Sequence, residues 1–319
     1  MRLERINPKI IQWALDRSMK NKETLKKKFP KLELWLKGKY LPTLKQLENF
    51  AKSTYTPTGF FFLHEVPIEK IPIPDFRTPN NFYSRPSADM LDTIYICQRR
   101  QEWYREYILS MKANSFSLIG SASINDDILK TTTNIFKILC PRSLCEFQRL
   151  IDLIDKLEAL GILIMLNDIV NNNKKRKLKL QEFRGFVLID NLAPLIFINS
   201  NANELEQIFM LVHGLVHLCS GHSALSNAEV QKTSSDPVEE WCKNVTREIF
   251  ESMAFDLPYL SSKKTNTTTI SKNFTRALIT STLEGGTLYR DAFELLETWK
   301  HDDFLGIVSK IMPNTTFKR

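Results

Sequence analysis

No apolar run in this 319-residue chain approaches the roughly 18 residues that a membrane span needs, so no helical membrane protein is expected. The opening stretch MRLERINPKIIQW lacks the apolar core of a secretory signal. Cysteine is scarce: the five residues are odd in number and scattered, which argues against a disulfide framework. These absences point to a reducing, cytoplasmic compartment with no membrane association. There is no internal repeat. Disordered and fibrous classes are excluded by composition, since 43% hydrophobic and 25% charged residues suit a soluble globular protein. The length suggests two domains.

Charge is present but unevenly spread. Residues 1–52 carry 14 Lys and Arg against 5 Asp and Glu, whereas the other 267 residues carry 30 against 31. A compact basic segment on a near-neutral body is the electrostatic footprint of nucleic-acid binding; a solubilising basic arm is the plainer reading.

Four short helices fit that basic segment. Asn7 and Pro8 suit the start of a helix over 7–18, and others fit 22–28 and 31–37, the last closed by Gly38. Thr43 and Gln46 form a possible capping box for a fourth. This pattern predicts an all-α helix-turn-helix domain over 1–55. Helix 31–37 would be its recognition helix, with Lys31 and Glu33 facing base edges. Lys26, Lys27, Lys28, Lys37 and Lys39 would meet phosphates of duplex DNA. Leu34 and Trp35 leave few polar side chains for base reading, so docking of a protein is the alternative. Such regulators are often homodimers.

Prolines at 57, 67, 72, 74, 79 and 86 rule out a long helix and predict an extended strap over 56–87, too apolar for a free linker. The remainder, 88–319, reads as helices, then short strands, then helices, an α+β domain that is mainly helical. Helices are expected at 88–112, 146–160, 203–220, 237–251 and 288–299, with strands at 162–166, 183–190 and 194–200. NNNKKRKLK at 171–179 reads as a solvated hairpin tip or a basic patch, and 261–273 as a polar loop.

Histidine is as scarce as cysteine, five in all, yet His213, His217 and His222 lie close together. His213 and His217 are spaced i, i+4 on a helix, so both imidazoles share one face and suit adjacent corners of a zinc tetrahedron. In the zinc-protease pattern H-E-x-x-H the Glu is the general base. Here Gly214 stands in that place, and nothing in the segment itself favours a helical glycine. A catalytic carboxylate lost from a zinc-protease helix is the simplest reading, whether the change is natural or engineered. His222 fails the longer pattern, which needs Gly at 220 and His at 223 where this chain has Ser220 and Ser223. Glu239 is the candidate third ligand and Glu240 the neighbour that would face away. Glu239 also occupies a capping-box position behind Asp236, where Glu is common for another reason. Cys219 and Cys242 fall near the site as packing residues, and Cys140 and Cys145 lack the second pair of a zinc knuckle.

FRGFVLIDNLAPLIFINSNANELEQIFMLVHGLVHL resembles the core of the ImmA/IrrE family of metallo-endopeptidases, apart from Gly214. Glu239-Glu240-Trp241-Cys242-Lys243 resembles the family's next motif, E-x-W-C-N, with Lys243 in place of Asn. Residues 28–52, then PTGFFFL and IPIPDFRT, resemble the Xre-type helix-turn-helix and strap of the long form, and GTLYRDAFELLE its late helix. The resemblance implies a zincin-like domain over 88–319, Zn²⁺ on His213, His217 and Glu239, and a partner repressor or antitoxin in prophage regulation, a toxin–antitoxin pair or phage defence. With Gly214 the chain is expected to be inactive or impaired as a hydrolase. The alternatives are a non-catalytic DNA-binding regulator that uses the peptidase-like domain for partner binding, or a module with no metal at all.

Overall fold

A computed structural model describes residues 6–77, 86–112, 118–140, 149–226, 234, 236–253 and 269–313. The chain divides into two compact units, Met1–Pro72 with Tyr83–Asp92, and Ile73–Phe82 with Thr93–Arg319. The proline-rich segment is therefore split between them at Pro72.

The first unit holds α1 (Pro8–Ser18), α2 (Lys22–Lys28), α3 (Leu32–Leu36) and α4 (Leu44–Thr54), and all but α3 start at a side-chain cap. The Asn7 and Asn21 side chains accept backbone N–H groups of α1 and α2, and Thr43 with Gln46 completes a capping box on α4. Helix α3 is shorter than the expected 31–37, and Lys31 precedes it without a side-chain cap. Phe29, Trp35, Phe50 and Phe61 meet tilted or edge to face at 5.4–5.9 Å, the low-energy aromatic geometry, among buried Ile10, Leu32 and Leu47. The strap is not extended throughout. Thr58–Phe62 forms a 3-10 turn because Phe61 fills this core, and burial outweighs the extended preference of the flanking proline. Arg17, also buried, ties the unit together through Glu69 at 2.7 Å and the Tyr55 carbonyl at 2.6 Å.

A long helix, α5 (Ala88–Ser110), is followed by α6 (Ile128–Leu139) and α7 (Leu150–Ala159). Then come β1 (Leu163–Asn167), β2 (Ile169–Val170), β3 (Asn173–Lys177), β4 (Gly185–Leu188), β5 (Leu195–Asn199), α8 (Glu204–Ser220), β6 (Ala224–Ser226) and α9 (Pro237–Ser252). The main sheet has the order β1-β5-β4-β6, parallel between β1 and β5 and antiparallel elsewhere. Its central strands are buried throughout, which explains their continuous apolar runs. Helix α8 packs on β4 and β5, with α7 and α9 against it. The 171–179 segment is a hairpin of β2 and β3, turned by Asn171 and Asn172 at φ 51 and 50.

Both edges of the sheet are paired. Leu166 of β1 exchanges two backbone hydrogen bonds of 2.8 Å with Thr269. Leu225 of β6 donates to the Pro74 carbonyl at 2.9 Å and accepts from the Phe76 N–H at 3.0 Å.

Several elements depart from expectation. Helix α6 was not anticipated, because three consecutive threonines weaken its propensity; burial of Ile135 and Leu139 and the Asp127 cap compensate. Lys272, placed in a polar loop by composition, opens α10 (Lys272–Leu283), with Ser271 as its cap. The late helix is only Tyr289–Leu295 (α11), since Glu297 adopts φ 53, and α12 (His301–Ile311) follows. The expected start of α7 at 146 and residues 261–268 lie outside the described residues. Cys97, Cys219 and Cys242 are free, whereas Cys140 is disulfide-bonded, which its spacing did not suggest. Among the described residues no helix is long and apolar enough to cross a membrane.

Candidate metal centre

Helix α8 carries the histidines. Asn203 and Glu206 form its capping box, and Gly221 ends it at φ 74. The helix is buried on nearly all sides between the sheet and α9, so the i, i+4 pair is held in the interior rather than on a surface. Helix α9 supplies the carboxylate. Asp236 caps it by accepting from Val238 N–H and Glu239 N–H, which fixes Glu239 in the first turn.

The capping alternative for Glu239 does not hold. The carboxylate that closes the start of α9 is Glu240, which accepts from Ser234 N–H at 2.6 Å. Glu239 instead turns inward, with Oε2 at 3.0 Å from His217 Nε2 and Oε1 at 3.3 Å from His213 Nε2. The two Nε2 atoms are 3.2 Å apart. Ligands bonded at ~2.0–2.2 Å to a tetrahedral metal are separated by roughly 3.3 Å. The separations observed, 3.0–3.3 Å and involving both oxygens of the carboxylate, lie close to that figure. Two imidazole nitrogens and a carboxylate oxygen, all within 4.8 Å of one another, are also a donor set that suits zinc.

Neighbouring groups orient these donors. The Thr246 hydroxyl donates to the Cys242 carbonyl at 2.6 Å and so presents a lone pair to His213 Nδ1–H at 3.2 Å. This fixes the His213 tautomer that leaves Nε2 free for a metal. His217 Nδ1 faces Cys242 Sγ at 3.7 Å. Ser226 of β6 donates to Glu239 Oε1 at 2.6 Å, and Lys243 Nζ lies 3.9 Å from the same oxygen. Burial disfavours ionised Glu239, but the two imidazoles beside it hold its carboxyl well below the usual carboxylate range. Burial likewise opposes a charged His217, and the Cys242 sulfur with the Glu239 carboxylate raises its pKa nevertheless. The Cys219 thiol is pushed up to about 12 by burial, so it is a packing group and not a nucleophile.

The cluster is closed. His213, His217 and Glu239 are 1%, 0% and 0% exposed. Phe209 stacks on His213 and Phe76 on His217, at ring separations of 6.2 and 6.0 Å. The adjoining cavity, bounded by Gly185, Ile196, Met210 and Gly214, holds about 10 Å³. That is room for about one water and not for a peptide.

Gly214 has a packing role that the helix sequence alone did not reveal. A Cβ built there would stand 2.8 Å from Ile196 Cγ2 and 3.1 Å from its Cδ1. Helix α8 thus approaches β5 closely at this turn, and Ile196 takes the space a larger side chain would enter.

The residues of the first unit expected to contact DNA differ in their surroundings. Glu33 lies 3.1 Å from Lys26 Nζ and 3.6 Å from Lys22 Nζ. Lys28 donates to Ser53 Oγ at 2.8 Å, and Lys31 sits 4.0 Å above the Tyr40 ring. Lys27, Lys37 and Lys39 are exposed. Trp35 belongs to the core. At the histidines, sequence reasoning missed Thr246, Ser226, Phe209 and Phe76. Only Thr246 had a signal, lying two helical turns beyond Glu239 on the same face.

No curated relative and no solved structure matches the chain. Residues 270–304 match a family model described as a domain of unknown function. Residues 157–260, which contain the sheet, α8, α9 and all three converging side chains, match the family model of the IrrE N-terminal-like domain, peptidase M78.

Proposed function

We propose that the protein is a zinc-binding regulator or toxin of the ImmA/IrrE type, built on a zincin-like domain, that acts on a partner repressor or antitoxin with its hydrolytic step disabled at position 214. The observation that carries this reading is the convergence of His213, His217 and Glu239, with donor atoms within 4.8 Å of one another, inside the segment that resembles a peptidase domain. These three side chains would hold the metal. A bound zinc supplies Lewis acidity toward a carbonyl and activates a water. Thr246 and Cys242 orient the imidazoles, Ser226 orients the carboxylate, and Phe76 and Phe209 keep solvent out. What the chain lacks is a carboxylate to take the proton: Gly214 has no side chain, and Glu239 is the cluster's one carboxylate among the described residues. General acid–base catalysis typically contributes ~10²–10⁴-fold, so the loss is severe.

Elemental mass spectrometry of the purified full chain beside His213→Ala tests the metal. About one zinc per chain, abolished in the variant, is expected. No zinc in either sample refutes the metal reading and favours a metal-free partner-binding module.

A second reading, duplex DNA binding by a helix-turn-helix in the first unit, is supported by its basic charge and by exposed Lys27, Lys37 and Lys39. Binding would weaken steeply as salt rises. An absence of duplex binding at low salt eliminates it and leaves this unit as a protein-docking domain.

A further inference from the structure

We propose that residues 73–77 are a built-in cover of the histidine cluster, occupying the sheet edge along which an extended polypeptide partner would pair, so that such a partner reaches the cluster only by displacing them. This rests on the functional reading above for the identity of the site, though the cover itself is independent of any metal.

The segment behaves as an added strand. Asp75 bridges Leu225 in parallel, and both backbone hydrogen-bonding groups of Leu225 that point away from β4 are satisfied by Pro74 and Phe76. Strand β6 is the edge beside the ligands, since its Ser226 holds Glu239 at 2.6 Å. Edge addition of an extended chain is a general mode of polypeptide recognition. Here that position is filled in cis. Pro74 has no N–H, so the added strand is poor at recruiting a further one.

Phe76 is the cover proper. Its ring lies parallel to His217 within 11°. It is half-buried, while the His217 it covers is fully buried. Arg77 acts as the latch. It holds Asp75 with two hydrogen bonds of 2.8 Å and donates from Nη1 to the Glu182 carbonyl at 3.2 Å. Among the described residues, the backbone hydrogen bonds to Leu225, the ring contact with His217 and the Arg77 hydrogen bond to the Glu182 carbonyl attach the segment to the rest of the unit, while the Asp75–Arg77 pair lies within it. A partner that replaces it needs an extended stretch with an aromatic or large apolar residue at the Phe76 position.

The test uses the full chain as Phe76→Ala, Arg77→Ala and Phe76→Tyr. Two rates are measured: transfer of zinc from loaded protein to a chromogenic chelator, and hydrogen exchange at the Leu225 amide in metal-free protein. Phe76→Ala and Arg77→Ala are expected to speed both at least tenfold at unchanged zinc stoichiometry, and Phe76→Tyr to keep wild-type rates. Unchanged rates in both alanine variants overturn the cover. If Phe76→Ala does not fold, Arg77→Ala decides alone. If wild-type protein takes up no zinc, the metal reading has failed; Leu225 exchange then decides, faster exchange sustaining the cover and equal exchange overturning it.

Discussion

Gly214 of α8 and Ile196 of β5 fit against each other so closely that a Cβ at 214 would lie 2.8 Å from Ile196 Cγ2. The glycine is therefore matched to the strand above it. Alanine gains about 1 kcal/mol of helix propensity over glycine in an open helix. At this position the neighbour that must give way is the branched, 1% exposed Ile196, and overpacking of a core costs roughly 1–3 kcal/mol. Gly214→Ala is expected to lower stability in denaturant unfolding, and Gly214→Glu to lower it further. In an Ile196→Ala background the same glycine substitutions should cost less. Strict additivity between the two positions would show that the contact does not govern this turn.

The histidine pair was legible because its spacing is intrinsic to one helix, and the ends of that helix are marked by Asn203 and Gly221. The strands were legible as apolar runs, but β6, three residues long, gives no periodicity to read. Glu239 was ambiguous for a definite reason: its place in the first turn of α9 suits a cap as well as a ligand, and only the third dimension assigns the cap to Glu240. The packing of Gly214 and the stacking of Phe76 on His217 were not legible at all. Each depends on which strand the sheet brings to the helix, and the segments involved are distant in the chain.

Thr246→Val removes the acceptor of His213 Nδ1–H while keeping the shape of the side chain. The imidazole then loses the group that fixes its tautomer and orientation. Loss of such a partner typically weakens metal binding 10–100-fold. Competition with a chelator of known affinity should show that loss, with zinc stoichiometry at saturation unaltered. An affinity equal to wild type would mean that packing against Phe209 alone orients His213.

The metal-free cluster has opposing pH dependences. The Glu239 carboxyl is depressed, so its stabilising contribution is complete above the unfolded carboxylate value of roughly 4.3 and is lost as pH falls through the folded one. The His217 pKa is raised, so its contribution is complete below the unfolded value of roughly 6.5 and is lost as pH rises through the folded one. Between these limits His217 carries a proton that an incoming metal must displace. Zinc affinity is expected to rise with pH across the His217 titration. Calorimetry at one pH near neutrality, in two buffers of different ionisation enthalpy, should report net proton release on zinc binding. Binding enthalpies independent of the buffer would contradict the raised His217.

Lys243 sets a further limit on the site. Its ammonium is 2% exposed and lies 3.9 Å from Glu239 Oε1, one helical turn along α9 from the carboxylate. In the metal-free protein this cation offsets the charge of Glu239. Once a divalent ion sits on that carboxylate, the same ammonium faces a like charge in a poorly solvated interior, where Coulomb terms are only weakly screened. Lys243 therefore opposes metal binding, and it stands where the resembling motif has a neutral Asn. Lys243→Met keeps the apolar stem and removes the charge. Zinc affinity is expected to rise by about an order of magnitude or more, while the metal-free protein loses stability because Glu239 forfeits a neighbour. Parallel chelator competition and thermal unfolding separate the two effects. Tighter zinc binding with lower metal-free stability is the signature of a cation that guards the ligand. An unchanged affinity would mean that the ammonium withdraws when the metal enters, and Lys243 would then have no part in setting how tightly the site holds it.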